Sequence, residues 1–144
     1  MRIFKAEVWN LDLLLPLFEQ YRNHLGSPAN PERARIFLSN RIRFSESIIF
    51  LVLDEQERAI GFAQLYPHWS SVQLSRYWQL SDIFVAPDVS EADTLTLLLS
   101  KCREFVKFTQ SQRLALNAMS TQRTFWESLG FKLDSTRQRF ELRV

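Results

Sequence analysis

The sequence predicts an α/β domain, with helices flanking a mixed, mostly antiparallel central sheet. Short apolar segments alternate with amphipathic helical segments, and three strand-like segments follow one another in the middle of the chain. No repeat, linker or low-complexity tract divides the 144 residues. A chain of this length is most simply one domain with a sizeable core, so residues 1–144 are expected to fold as a single unit.

The N-terminal third predicts one strand and two helices. Residues 2–8 are short and mostly apolar, which indicates a strand. Asn10 is a suitable cap for a helix that runs to His24, with leucines at helical spacing. The segment Asn30-Pro31-Glu32 then supplies a cap, a first-turn proline and an early acid in the usual order. A second helix is expected from there to about Phe44.

The middle of the chain is rich in predicted strands. Residues 47–53 form a continuous apolar run, and residues 59–66, beyond a polar turn, are its expected antiparallel partner. Pro67 is expected to end that second strand, because proline cannot donate to a strand ladder. A long third strand is expected within residues 72–85 and should end before Pro87.

The C-terminal third alternates helix and strand. A helix with one apolar face is expected over residues 91–110, followed by a short strand at residues 114–116. A short helix over residues 121–129 should end at Gly130, which suits a left-handed helix end. Residues 131–133 and 139–144 predict a closing hairpin.

Composition narrows the function classes. The net charge is +2 and no Lys/Arg cluster forms a nucleic-acid footprint, so no nucleic-acid partner is expected. The apolar runs are too short for a membrane span and the N-terminus has no signal-peptide core, so no membrane partner is expected. The single cysteine, Cys102, fits a reducing compartment and predicts a cytoplasmic protein. Two histidines without a Cys-x-x-Cys pair make a protein-built metal site improbable.

Two segments resemble motifs of the GNAT superfamily of N-acetyltransferases. Leu80 to Pro87 (LSDIFVAP), followed by a helix, is similar to the family's central strand, which ends in Val-x-Pro. Phe125 to Phe131 (FWESLGF) is similar to the end of the family's last helix. Gln64 to Ser71 also looks like a small bacterial branch related to histone and polyamine acetyltransferases. The order of predicted elements matches the family across essentially the whole chain.

The resemblance implies acetyl transfer from acetyl-CoA to a primary amine on a small molecule or peptide. In the family, the pantetheine pairs with the exposed edge of the central strand, and the pyrophosphate lies at the N-terminus of the next helix, where free N–H groups favour an anion. The positions that the resemblance assigns to the cofactor are Ile83, Phe84, Val85, Ser90, Asp93, Thr94, Leu95 and Asn117.

The loop expected to hold the pyrophosphate departs from the family pattern. Its aligned positions carry Ser90, Asp93 and Leu95 in place of an amide or basic residue and two small residues. Asp88 and Glu91 add further negative charge where a dianion should lie, which predicts an affinity for acetyl-CoA weaker than about 100 μM. A simpler interpretation is that the three acids cap and stabilise the helix.

Candidate catalytic residues carry alternative interpretations. Asp82, on the central strand, is a candidate general base or a hydrogen-bonded structural group. Trp126 occupies a position where many relatives have tyrosine; its indole N–H can donate a hydrogen bond but cannot supply a proton, and it is equally a core-edge aromatic. Tyr66, His68 and Tyr77 are candidates for lining an acceptor pocket.

Two functions from different classes follow from these residues. The first is a GNAT-type N-acetyltransferase with weakened cofactor binding. The second is a non-catalytic GNAT fold that serves as a binding or regulatory module. A homodimer formed through strand edges or the C-terminal hairpin is an expectation that rests on the family resemblance.

Overall fold

The computed structural model describes all 144 residues, and it contains five strands and four α-helices. The strands are β1 (Arg2–Lys5), β2 (Ile48–Leu53), β3 (Ala59–Ser70), β4 (Ser75–Val85) and β5 (Leu114–Ala115). The helices are α1 (Leu11–His24), α2 (Pro31–Arg43), α3 (Glu91–Phe108) and α4 (Arg123–Ser128). Short 3-10 turns precede α1 (Val8–Asn10) and α4 (Ser120–Gln122).

The five strands form one sheet in the order β1-β2-β3-β4-β5. The first three neighbouring pairs are antiparallel, whereas β4 and β5 are parallel. The predicted α/β class with a mixed, mostly antiparallel sheet is confirmed. The parallel pair is possible because α3 provides the long crossover that joins β4 to β5.

Helices cover both faces of the sheet. On one face, α1 and α2 bury Leu14 and Leu38 against Phe62 of β3. On the other face, α3 buries Leu98 and Cys102 among side chains that include Leu65. From Phe62 to Leu65, residues of β3 alternate between the two faces, as the period-two geometry of a strand requires.

The N-terminal helices begin differently from one another. Asn30 caps α2 as predicted, since its side chain accepts a hydrogen bond from the Arg33 N–H at 3.2 Å. The predicted cap of α1 by Asn10 is wrong, because this side chain instead accepts from the Glu7 N–H at 2.9 Å. That bond closes the 3-10 turn, so β1 ends at Lys5 and does not continue to Val8.

Pro67 does not end β3, contrary to the prediction. The strand continues through Pro67 to Ser70, pairing with β4. The pairing between β2 and β3 ends at Leu65, so the β2-facing edge of β3 is open where Pro67 lies. A proline without an N–H is tolerated at such an edge.

The predicted closing hairpin is wrong. Residues 131–133 and 139–144 contain no strand, and the single main-chain hydrogen bond formed within residues 132–144 joins the Arg137 N–H to the Asp134 carbonyl at 3.5 Å. The predicted short helix before this segment is confirmed as α4, and Gly130 follows it with a φ of +96°, in the left-handed region. Residues 139–144 form no main-chain hydrogen bond, so they add no strand to the sheet.

Candidate active site

A β-bulge in β4 sets the direction of the Asp82 side chain. Leu80 pairs with Leu65 of β3, and Asp82 pairs with the preceding residue, Gln64, so Ser81 is an extra residue on β4. Leu80 is buried on the α3 face. Without the extra residue, alternation would place Asp82 on that same apolar face. The bulge therefore places the carboxylate on the α1 face.

The Asp82 carboxylate lies in a hydrogen-bonded network. The Tyr21 hydroxyl donates to Oδ1 at 2.8 Å, and Gln64 Nε2 donates to Oδ2 at 2.9 Å. Ser47 Oγ donates to Gln64 Oε1 at 2.8 Å, which fixes the orientation of this buried amide. Two donors hold the carboxylate, and an ionised carboxylate has further lone pairs with which to accept a proton.

Two tyrosines near Asp82 remain protonated. Burial, followed by the charge of the Asp82 carboxylate, raises the pKa of Tyr21 far above its ordinary value. Burial and the same carboxylate raise the pKa of Tyr66 to about 12. The ring of Tyr21 packs edge-on against Phe62 at 5.3 Å between centroids and lies 5.6 Å from Phe84. Tyr21 is therefore a fixed hydrogen-bond donor at neutral pH.

The predicted acceptor residues share the face of the sheet that carries Asp82. Cross-strand pairs join Gln64 to Asp82, Tyr66 to Gln79 and His68 to Tyr77. The rings of His68 and Tyr77 stack at 5.4 Å between centroids, and the Arg113 guanidinium lies 4.5 Å from the Tyr77 ring centroid. Successive pairs two residues apart lie on one face, so these side chains form a polar and aromatic row that leads to Asp82.

A cleft opens beside this row where β4 and β5 part. The two strands pair at only two positions, Trp78 with Leu114 and Gln79 with Ala115, and β4 then continues to Val85 without β5. The cleft has a volume of about 370 Å³. It is lined by His68, Gln79, Leu80, Ser81, Asn117 and Arg139. Asn117 therefore lies at the opening between the strands, and its contact with the cofactor stays a prediction.

The open edge of β4 exposes two of the three predicted backbone positions. Ala86 donates its N–H to Ile60 of β3 at 2.8 Å. Peptide groups alternate in direction along a strand, so those of Ile83 and Val85 point away from β3, toward the open edge. The peptide groups of Phe84 point toward β3, and its side chain packs against Tyr21. Ile83 and Val85 are thus placed to pair with an extended ligand, whereas Phe84 is not.

The N-terminus of α3 retains free N–H groups. Ser90 does not cap the helix, because its hydroxyl donates to Asp93 Oδ2 at 3.2 Å. The N–H groups of residues 91–93 have no acceptor in the chain, so the expected side-chain cap by the acids is not formed. Thr94 and Leu95 are buried, so neither contributes a side chain to the surface at this helix end.

One of the three acids near this helix end is neutralised. Arg58, in the turn between β2 and β3, donates to Asp88 Oδ2 at 2.8 Å. This hydrogen bond holds the pKa of the Asp88 carboxyl below its ordinary value. The sequence-based hypothesis of three uncompensated acids is therefore too strong, because Asp88 carries a partner cation while Glu91 and Asp93 do not.

A glycine lets α3 approach the sheet here. Gly61 pairs with Val85, and a Cβ at position 61 would lie 2.7 Å from Cγ2 of Thr94 and 3.3 Å from Leu98. Real carbon atoms do not approach to 2.7 Å, so the close packing of Thr94 on β3 requires glycine. Gly61 therefore helps to position the free N–H groups of α3 beside the open edge of β4.

Trp126 is an aromatic packing residue with an unused donor. Its ring packs edge-on against Phe125 and Phe131, at 5.1 and 5.4 Å between centroids, and contacts the α3-side core. Its Nε1 atom is buried and has no hydrogen-bond partner. Buried N–H groups are normally satisfied, so this unpartnered donor is an exception.

Comparison with known proteins identifies the family. The model of the acetyltransferase (GNAT) domain matches residues 31–142. The chain belongs to the GNAT acetyltransferase family. A probable acetyltransferase of Haemophilus influenzae is 51% identical over 142 residues, covering 99% of this chain and 97% of the relative. An uncharacterized N-acetyltransferase of Bacillus subtilis is 31% identical over 138 residues, covering 94% of this chain and 92% of the relative.

Solved structures agree with this GNAT assignment. The crystal structure of a probable acetyltransferase superposes with a TM-score of 0.92 at 37% identity, covering 100% of this chain and 98% of the other. GNAT acetyltransferases generally use acetyl-CoA, and their acceptors are generally small molecules or peptides. No three His, Cys, Asp or Glu side chains cluster as metal ligands would. None of the helices combines the length and apolar character that crossing a bilayer requires.

Several residues of this GNAT site were absent from the sequence predictions. The sequence does mark Gln64 as unusual, since it is the one amide within the apolar run of β3. The sequence also indicates that Tyr21 faces the sheet, because it lies three residues after Phe18 on the apolar face of α1. No local pattern indicates the role of Arg58, because its contact with Asp88 joins two loops that are separated by thirty positions.

Proposed function

We propose that this chain transfers an acetyl group from acetyl-CoA to a primary amine, with Asp82 as the general base. The observation that supports this most strongly is the Asp82 carboxylate itself. It is held by Tyr21 and Gln64 at the inner end of an aromatic row, beside the point where β4 leaves β5. A positioned carboxylate with free lone pairs is suited to accept a proton from an ammonium group.

The residues present fit acetyl-CoA. Ile83 and Val85 offer strand-edge peptide groups, Asn117 offers a side-chain amide, and residues 91–93 offer free N–H groups at the start of an eighteen-residue helix. Free helix N-terminal amides favour a phosphate. When bound, acetyl-CoA supplies the acetyl group as a reactive thioester.

The chain's own groups have distinct tasks in this proposal. Asp82 removes the proton that keeps the acceptor amine unreactive, and the donors from Tyr21 and Gln64 keep its carboxylate oriented. Trp126 contributes a hydrogen bond from its unpartnered Nε1, and it transfers no proton. The proton for the departing thiolate then comes from water.

The acceptor approaches along the row of Tyr66, His68 and Tyr77. Aromatic faces attract cationic amines, and the Asp82 carboxylate lies at the end of the same row. The acceptor class that these residues fit is a primary amine, on a small molecule or a peptide, whose ammonium group is drawn toward Asp82.

Cofactor affinity is expected to be modest. Glu91 and Asp93 remain without cationic partners at the helix end, although Asp88 is paired with Arg58. Like charges near a dianion oppose its binding, so we propose a dissociation constant weaker than about 100 μM for acetyl-CoA.

Release of free CoA from acetyl-CoA, measured with a thiol reagent, tests the function. The acceptors are spermidine, free lysine and a short peptide with a free N-terminus, with millimolar acetyl-CoA. Turnover above the rate without protein is expected for at least one acceptor. Calorimetric binding of acetyl-CoA without turnover of any acceptor would favour a non-catalytic module, and absence of both would reject a role for acetyl-CoA.

A further inference from the structure

The cleft between β4 and β5 is lined by polar side chains, and its one permanently charged group is a cation. Of the six residues that line its volume of about 370 Å³, Arg139 carries a guanidinium and none carries a carboxylate. His68, Ser81 and Asn117 add side chains that can each donate a hydrogen bond. The cleft is therefore suited to hold an anionic group.

Arg139 reaches this cleft from the C-terminal segment and has a replaceable partner. Its Nε and Nη2 atoms lie 2.9 and 2.7 Å from the same carboxylate oxygen, Oε1 of Glu141. The two side chains are 68% and 72% exposed, and an exposed ion pair contributes little because water screens it. A carboxylate that binds in the cleft can therefore take the place of Glu141.

Charges of opposite sign lie at the two ends of the aromatic row. The Asp82 carboxylate is at the inner end. Toward the outer end, the His68 ring lines the cleft with Arg139 and stacks on Tyr77, and the Arg113 guanidinium lies 4.5 Å from the Tyr77 ring centroid. A ligand with an ammonium group at one end and an anion at the other matches both ends, whereas a simple amine matches the inner end alone.

The spacing along β4 sets the length of such a ligand. The cleft contacts β4 from Gln79 to Ser81, and Asp82 follows directly. A strand advances about 3.4 Å per residue, so Gln79 and Asp82 are at most about 10 Å apart. The amine and carboxylate of an α-amino acid share one carbon atom and are too close together to bridge this span. Several intervening carbon atoms allow it, and the volume of about 370 Å³ suits a small molecule.

We propose that Arg139 holds a carboxylate of the acceptor in this cleft, and that the acceptor is a small primary amine with its carboxylate several carbon atoms away. An ω-amino acid or the side-chain amine of a diamino acid has this form. The inference rests on the proposed acetyl transfer, since it names the acceptor class of that reaction. With the carboxylate at Arg139, the ammonium group lies toward Asp82, which accepts its proton.

Two acceptors of equal length, ε-aminocaproate and its carboxamide ε-aminocaproamide, differ in one negative charge and test this site. For the wild type, kcat/KM from CoA release should be at least tenfold higher with the carboxylate, because a charge-assisted hydrogen bond is roughly twice as strong as a neutral one. Arg139→Gln should remove this preference, chiefly by lowering kcat/KM for the carboxylate about tenfold. Arg137→Gln is the matched control and should keep the preference, because Arg137 is 84% exposed, pairs with Asp134 and does not line the cleft.

Three results would overturn the proposal. The first is an equal kcat/KM for the two acceptors on the wild type, a comparison that needs no variant to fold. The second is an unchanged preference in Arg139→Gln. The third is a higher KM for acetyl-CoA in Arg139→Gln with both acceptors affected alike, because the guanidinium would then hold a phosphate of the cofactor.

Failure of this inference is distinguishable from failure of the proposed function. If neither test acceptor is acetylated but spermidine is, acetyl transfer stands and the acceptor class named here is wrong. If no amine is acetylated, the proposed function fails, and calorimetry with ε-aminocaproate tests the carboxylate site alone. Binding that Arg139→Gln weakens about tenfold supports the site, and absent or unchanged binding rejects it.

Discussion

The Tyr21 hydroxyl donates a hydrogen bond to Asp82 Oδ1 at 2.8 Å, which joins α1 to β4 across 61 positions of sequence. Together with Gln64, this bond occupies one lone pair on each carboxylate oxygen and fixes the plane of the group. The bulge at Ser81 turns Asp82 to the face where both donors lie. The site is therefore assembled by α1, β3 and β4 together.

Tyr21→Phe should lower kcat about tenfold and leave KM for acetyl-CoA unchanged. A hydrogen bond to a charged group contributes about 1.5–3 kcal/mol, and losing it frees the Asp82 carboxylate to rotate. Steady-state kinetics with one acceptor measures the effect. Tyr66→Phe removes a hydroxyl that makes no hydrogen bond to Asp82, so it should lower kcat less than Tyr21→Phe does. Equal kcat values for Tyr21→Phe and the wild type would contradict the positioning role.

Gly61→Ala should destabilise the fold by about 1–3 kcal/mol, because the new methyl group overlaps Thr94 Cγ2. The free energy of unfolding from urea titration measures the loss. Adding Thr94→Ser removes the methyl group in conflict and should restore part of the stability. If the double variant is no more stable than Gly61→Ala alone, the close approach is not the cause.

Arg58→Ala should weaken acetyl-CoA binding roughly threefold at low salt, because it leaves the Asp88 carboxylate unpaired near the start of α3. Calorimetry at two salt concentrations measures this, and the effect should shrink at the higher one. The double variant Arg58→Ala/Asp88→Asn removes both charges and should bind as the wild type does. Weak binding by the double variant would point to a different role for Arg58.

The buried Cys102 thiol should make the fold less stable in alkali. Burial raises its pKa from 9.0 to about 12, so above pH 9 the unfolded chain loses a proton that the folded chain keeps. Stability is therefore full below pH 9 and falls as the pH rises from 9 toward 12. Between pH 8 and pH 10, Cys102→Ala should lose about 1.4 kcal/mol less stability than the wild type. Urea unfolding at both pH values measures the difference, and equal losses would refute this cause.

The sequence was sufficient for the layered α/β fold because its signals are local. Helical spacing in α1, the Asn30 cap of α2 and the apolar runs of β2 and β3 are each set within a few residues. The prediction failed at Pro67 because whether a proline is tolerated depends on a neighbouring strand, and β2 stops short of it. The prediction of the C-terminal hairpin failed for a related reason. The pattern of residues 139–144 is typical of a strand, but a strand also needs a neighbouring strand to pair with.

The candidate site was predicted in part. Tyr66, His68 and Tyr77 share one face, which alternation along two paired strands makes predictable once the hairpin register is known. Asp82 reaches that face only through the bulge at Ser81, which no local pattern predicted. The contribution of Tyr21 and the pairing of Arg58 with Asp88 depend on tertiary contacts that no local pattern encodes. The start of α3 had two interpretations, free N–H groups implied by the family resemblance and a cap formed by the acids, and the structure contains no side-chain cap.

The rate of acetyl transfer by Asp82→Asn, compared with the wild type at saturating acetyl-CoA, tests the central claim most directly. Asparagine preserves the shape of the side chain but cannot accept the proton, so kcat should fall by a factor of about 10² to 10⁴ while acetyl-CoA still binds. A rate within twofold of the wild type, in a folded variant, would contradict the assignment of Asp82 as the general base.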